Sequence, residues 1–86
     1  IGMHSTHPKI VLRLKRAQGH LRTVIGMIEG GRPCVELAQQ LHAVQAAVEK
    51  AKQELIHDHI EHCLQAGAGD DARSALRELK QLTKYL

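Results

Sequence analysis

Apolar residues recur at intervals of three and four along most of the chain, the spacing of one face of an α-helix. Two glycine-rich interruptions, at residues 30–33 and 67–71, divide this pattern into three segments. Glycine ends helices and proline suits the first helical position, so both interruptions predict joints between helices. The pattern predicts helices over residues 8–29, 33–66 and 71–85, preceded by a flexible arm over residues 1–7.

The second predicted helix is too long for the rest of the chain to cover. At 1.5 Å per residue it would span roughly 50 Å, so its apolar face needs a partner molecule. Small residues near its middle would allow a second copy to approach closely. The apolar stripes are Leu14, Ala17, Leu21, Val24 and Ile28 in the first segment; Leu37, Leu41, Val44, Val48, Ala51 and Leu55 in the second; and Ala72, Leu76, Leu79 and Leu82 in the third.

Composition narrows the fold class to one small all-α domain. The chain has 86 residues, of which 43% are hydrophobic and 1% aromatic, so the core must be aliphatic and a β-fold is disfavoured. No apolar run approaches the ~18 residues of a membrane span. Two cysteines without a visible signal peptide indicate a reducing, cytoplasmic setting. Ile1 and Gly2 precede Met3 and resemble a cloning scar.

Three ligand-type residues stand out in the second segment. His59 and Cys63 are one helical turn apart, and Cys34 lies in the first turn, where the helix N-terminus favours the metal-binding thiolate. The alternative for both cysteines is a small buried hydrophobe. Cys34 and His59 lie about 37 Å apart along one helix and meet only if two copies pack antiparallel. A Cys2His set favours Cu(I), or Zn(II) with a fourth ligand from His4 or His7.

Basic residues dominate the first segment. No acid precedes Glu29, although the net charge of the chain is only +3. Such a patch, multiplied in an oligomer, suits the phosphate backbone of DNA, and the alternative is an ordinary solvated helix face. No helix-turn-helix or zinc-finger motif is present, so DNA would contact a surface of the assembled bundle. The basic residues are Lys9, Arg13, Lys15, Arg16 and Arg22.

Several segments resemble one family of bacterial regulators. They are residues 13–22 (RLKRAQGHLR), 27–29 (MIE), 33–34 (PC), 45–47 (QAA) and 58–63 (DHIEHC). These segments are similar to the copper-sensitive operon repressor family, which also contains nickel/cobalt-responsive and formaldehyde-responsive members. The resemblance covers the chain from about Lys9 to Ala66.

The resemblance implies an all-α antiparallel dimer that pairs into a tetramer, binds operator DNA without metal and releases it with an inducer. In copper-responsive members the ligands correspond to Cys34 of one protomer with His59 and Cys63 of the other. The family's DNA-contacting positions match Arg13 and Lys50, with Arg16 and Lys15 nearby. A supporting acid is expected from the third helix, and Glu78 would supply it.

Two departures keep other inducers open. Pro33 stands where copper-responsive relatives often carry tyrosine, and the Pro33–Cys34 pair is more like the nickel/cobalt and formaldehyde branches. Those branches typically lack a cysteine at the position of Cys63. The leading hypothesis is a Cu(I)-responsive repressor that is not an enzyme, and the alternatives are Ni(II), Co(II), Zn(II) or formaldehyde as inducer. A remote alternative is a small helical dimeric enzyme that binds an acidic substrate with buried arginines.

Overall fold

The computed structural model describes residues 7–66 and 72–86, with the backbone alone at residues 63–66 and 72. Three α-helices follow one another, α1 (His7–Glu29), α2 (Cys34–Ala66) and α3 (Ala72–Leu82), and a 3-10 turn covers Thr83–Tyr85. No strand occurs within the described residues, and the all-α class is confirmed. The predicted joint at residues 67–71 and the arm residues 1–6, with His4, lie outside the described residues.

Helices α1 and α2 form an antiparallel hairpin. His7 lies against Asp58, Arg13 against Glu54, and His20 against Gln40, so residue numbers fall along α2 as they rise along α1. Alternate members of the predicted stripes, seven residues apart on each helix, are buried between them together with Ile10 and Ile56, which the stripes did not include. The buried apolar residues are Ile10, Ala17 and Val24 of α1 and Val44, Ala51 and Ile56 of α2.

The turn between α1 and α2 has the geometry of a glycine C-cap. The Arg32 N–H donates to the Met27 carbonyl at 3.1 Å, and the Gly31 N–H donates to the Ile28 carbonyl at 3.1 Å. This pair of bonds is the Schellman motif, which needs a residue in the left-handed region after the helix. Gly31 occupies that position with a φ of 76°, which a side chain would disfavour. The turn therefore fixes where α2 begins.

Three helix boundaries differ from the predicted ones, and the smallest difference is that α2 begins at Cys34 rather than at residue 33. His7 is the first residue of α1 rather than part of the arm, since Pro8 fits the first turn of a helix and does not have to begin it. The third helix ends at Leu82, and its last turn tightens to a 3-10 turn over Thr83–Tyr85. The Thr83 hydroxyl donates to the Lys80 carbonyl at 2.6 Å there, so a side chain satisfies a terminal carbonyl.

Six other members of the stripes on α1 and α2 are left at the surface of the single chain. Each is between 41% and 51% exposed, and the chain is elongated, with dimensions of 58 × 24 × 13 Å. Helix α3 contacts α2 much less extensively than α1 does and does not cover these residues. The exposed rows, also at a spacing of seven residues, are Leu14, Leu21 and Ile28 on α1 and Leu41, Val48 and Leu55 on α2.

Candidate metal centre and nucleic-acid interface

Cys34 is the first residue of α2 and carries an exposed free thiol. The Leu37 N–H donates to the Pro33 carbonyl at 3.1 Å, so the first helical turn starts from Pro33 and includes Cys34. An ion pair between Arg32 and Glu36 flanks the cysteine on this turn. The thiol is therefore held by a defined helix start and faces solvent, which is where a ligand from a second molecule could meet it.

His59 lies near the other end of α2 and contacts the third helix. Its Nε2 atom is 2.8 Å from Oε1 of Glu78, and the His59 side chain is 33% exposed. The structure thus brings together the candidate ligand and the acid expected from the third helix. Carboxylates in this position orient metal-ligating histidines and raise their basicity. Cys63 follows on α2 one turn later, and its side chain lies outside the described residues.

Asp58, next to His59, is a buried carboxylate that the sequence reasoning missed. It is 6% exposed, and its Oδ2 atom lies 3.6 Å from Nε2 of His7 at the start of α1. Its Oδ1 atom lies 3.6 Å from Nδ1 of His62. Buried carboxylates are retained in proteins where they are paired, and here the pairing joins the first turn of α1 to the part of α2 that carries the candidate ligand His59. His7 is thus close to this region within the same chain.

One chain does not gather the three candidate ligands. Helix α2 is continuous from Cys34 to Ala66, so the 25 residues between Cys34 and His59 correspond to about 37 Å. Within residues 7–66 and 72–86, no group of three or more histidine, cysteine or acidic side chains is arranged to hold a metal ion. A site that uses both Cys34 and His59 therefore requires two copies of the chain.

The candidate DNA-binding residues lie on exposed surface. Arg13 is the one among them with an ion pair in the described chain, since its Nε atom is 3.0 Å from Oε2 of Glu54. Arg13 and Arg16 also line a shallow groove that includes His20. His20, which the sequence reasoning did not single out, is tied to α2 through its 2.6 Å contact with Gln40. The exposed candidates are Arg13, Lys15, Arg16 and Lys50.

One alternative, the small helical enzyme, can be compared with this geometry. All six arginines are exposed in the single chain, so no arginine lines a buried pocket within it. Among the helices of the described chain, none combines the length and the apolar character that crossing a membrane requires.

Comparison with known proteins agrees with the family resemblance. The profile described as metal-sensitive transcriptional repressor matches residues 6–86. The copper-sensing transcriptional repressor CsoR of Mycobacterium ulcerans is 39% identical over 74 residues, which cover 85% of this chain and 63% of that protein. CsoR of Bacillus subtilis is 38% identical over 81 residues, which cover 88% of this chain and 80% of that protein.

A solved structure extends the similarity to the whole fold. The nickel-responsive transcriptional regulator InrS superposes with a TM-score of 0.83 and 31% identity, covering 100% of this chain and 99% of that chain. With a family profile that spans nearly all of its residues, this chain belongs to the metal-sensitive transcriptional repressor family. Relatives of this chain sense copper in some cases and respond to nickel in another.

Proposed function

We propose that this chain is a cytoplasmic repressor that binds operator DNA when metal-free and releases it when Cu(I) binds between two copies. The observation that carries the proposal is the division of ligand-type residues between the ends of α2. Cys34 is exposed at its start, and His59 is held by Glu78 near its end. The copper-sensing relatives support the choice of Cu(I). The proposal includes no catalytic step.

An antiparallel pair of α2 helices would complete the site. Two copies that cross near residues 46–47 would set Cys34 of one copy beside the partner's His59 and Cys63. The exposed apolar rows on α1 and α2 supply surface for such a pair, because a second copy would remove them from water. A twofold pair has two equivalent sites, and two such dimers would form the tetramer implied by the family resemblance.

The donor set suits the proposed inducer. Two thiolates and one imidazole provide the soft ligands that favour Cu(I). Glu78 lies 2.8 Å from Nε2 of His59, so it would orient the ring for ligation through Nδ1. Cys34, His59 and Cys63 would hold the ion, with Glu78 as the supporting acid. Binding would favour one packing of the two copies and shift the basic first helices relative to DNA.

The proposed DNA contacts are electrostatic. Lys15, Arg16 and Lys50 are exposed and have no ion pair within the described chain, so they are available to phosphates. Arg13 extends this surface and is paired with Glu54. Neutralising phosphates with these side chains releases counterions, which makes the affinity for DNA fall with salt.

Nickel is the second candidate inducer, with Co(II) and Zn(II) as related alternatives. InrS is nickel-responsive and matches this chain over its full length. These ions take four or more ligands, so a histidine beyond the Cys2His set would be needed. His4 and His7 are the candidates. His7 lies close to His59, because it contacts Asp58, the residue before His59.

The test measures DNA affinity with and without each inducer. A duplex is first selected from random DNA with reduced, metal-free protein, and its dissociation constant is then followed by fluorescence anisotropy under anaerobic conditions. Chelator-buffered Cu(I) is expected to weaken binding by about 5- to 150-fold, the usual range of allosteric coupling. The Cys34→Ser variant should bind DNA and lose the response, whereas the control His42→Ala should keep both.

The same assay separates the inducers. A response to Ni(II), Co(II) or Zn(II) that exceeds the response to Cu(I), and that is lost when His4 and His7 are both replaced by alanine, would replace Cu(I) by that ion. A response to formaldehyde alone would assign this chain to the formaldehyde-responsive branch of the family. If none of these inducers changes the affinity for DNA, the proposed function is wrong.

A further inference from the structure

Arg13 is held by an acid of the neighbouring helix. Its Nε atom lies 3.0 Å from Oε2 of Glu54, and the two side chains are 42% and 35% exposed. The other four lysines and arginines of α1 form no ion pair within the described residues. The pair is therefore a specific feature of this position and not a general property of the basic helix.

The pair lies at a boundary between basic and acidic surface. On one side, Arg13 shares a groove with Arg16 and His20 of α1. On the other side, Arg13 and Lys9 share a groove with acids of α2, including Glu54 and Glu61. A rotation of the Arg13 side chain would exchange the acidic groove for the basic surface. The guanidinium can thus pair either with Glu54 of the hairpin or with an external anion.

A carboxylate and a phosphate compete for the same guanidinium edge. Arginine recognises both anions through the same planar fork of N–H donors. While Arg13 is paired with Glu54, its charge is neutralised and adds little to the counterion release that drives DNA binding. Because the pair is partly exposed, it is weak enough to exchange for a phosphate.

We propose that Glu54 is an internal competitor for DNA, which lowers the affinity of the repressor by holding Arg13 away from a phosphate. The inference rests on the proposed function, because it assumes that Arg13 faces DNA in the complex. Glu54 lies five residues before His59 on the same helix. The competing carboxylate is thus carried by the part of α2 that contains the candidate ligands His59 and Cys63.

The test compares two charge-neutral replacements on α2. Glu54→Gln removes the competing carboxylate, and Glu49→Gln is the matched control, since Glu49 pairs with Lys52 on its own helix at 3.0 Å. Both remove one negative charge from α2, so a general electrostatic effect would be the same for both. Metal-free Glu54→Gln is expected to bind the selected duplex several-fold more tightly than Glu49→Gln. Its plot of log affinity against log salt should steepen by about 0.9, the slope of one added phosphate contact.

A double-mutant cycle with Arg13→Ala isolates the pair. In the Arg13→Ala background, Glu54→Gln should gain no more affinity than Glu49→Gln, and its salt slope should stay unchanged. Equal affinities of Glu54→Gln and Glu49→Gln in the presence of Arg13 would overturn the inference, provided that both variants melt at the wild-type temperature by circular dichroism. Failure of wild-type metal-free protein to select any duplex would instead refute the proposed function.

Discussion

His59 and Glu78 form the contact that gives the candidate metal centre its direction. The 2.8 Å distance joins α2 to α3, two helices that otherwise make few contacts. A carboxylate that orients a ligating imidazole lowers the cost of placing the ring correctly and raises its basicity. Glu78 would therefore contribute to metal affinity without touching the metal.

Replacing Glu78 by glutamine should weaken metal binding and spare DNA binding. Loss of a supporting carboxylate typically costs about 10- to 100-fold in metal affinity, and we expect this range for Cu(I), measured by competition with a chromogenic Cu(I) chelator. The control is Glu61→Gln, which removes an exposed acid two residues after His59. Equal Cu(I) affinities of the two variants would show that Glu78 has no part in the metal centre.

At the level of single residues, the sequence predicted the candidate metal-site residues better than it predicted which side chains are buried. Cys34, His59 and Glu78 are recognisable from residue type, spacing and family pattern. The burial of Asp58 could not be predicted in this way, because an acid between two histidines is typical of a solvated surface. Its burial arises only when the first turn of α1 packs there and brings His7 to 3.6 Å. With this packing, His7 is the first residue of α1 and not part of the predicted arm.

The turn before α2 is the element that sets the position of Cys34. Its Schellman bonds require a left-handed residue, and Gly31 supplies it with a φ of 76°. Gly19, in the middle of α1, has ordinary helical geometry, and a Cβ added there would meet nothing within 4 Å in this chain. Gly31 therefore holds a conformation that favours glycine, whereas Gly19 does not require glycine.

Alanine at these two glycines should change stability in opposite directions. Gly31→Ala places a side chain in the left-handed region, which costs roughly 1–2 kcal/mol. Gly19→Ala removes a flexible residue from a helix interior and should stabilise the protein by up to about 1 kcal/mol. Urea unfolding at one fixed protein concentration measures both, since oligomers gain apparent stability with concentration. A destabilised Gly19→Ala would contradict this expectation and would mean that a second copy packs against α1 at Gly19.

Element by element, the helices were predictable and their packing was not. Apolar spacing and the glycine-rich interruptions indicated three helices, and the structure has three. The same spacing did not reveal which members of each stripe face the other helix. Ala17 and Val24 are buried, whereas Leu14 and Leu21, on the same stripe, are more than 40% exposed. The reason is that each stripe contains a buried row and an exposed row. Together the two rows are wide enough to pack against two neighbouring helices, and the chain supplies only one.

The whole molecule is an extended hairpin with exposed apolar rows on both long helices. Its longest dimension is 58 Å, close to the length of α2 itself, so little of that helix can be covered from within. A second copy of the chain would cover these rows and, if antiparallel, would bring the two ends of α2 together. Stability and sensing would then depend on the same interface.

A mixture of two inactive variants tests this arrangement directly. In the proposed dimer, each site takes Cys34 from one copy and His59 and Cys63 from the other. Cys34→Ser and Cys63→Ser should each lose tight Cu(I) binding as homodimers. Unfolded and refolded together, they should form heterodimers in which one site has both substitutions and the other has none.

The amount of Cu(I) that the co-refolded mixture binds distinguishes a site shared between two copies from a site within one chain. If the two chains pair at random, half of the dimers are mixed and each carries one intact site, so the mixture should bind about a quarter of the Cu(I) that wild-type protein binds. Chelator competition measures this amount, and a mixture of the separately refolded variants is the control that should bind none tightly. A site formed within one chain would leave the co-refolded mixture as inactive as that control, because every chain would still lack one cysteine. Recovery would therefore show that the metal centre is completed by the partner.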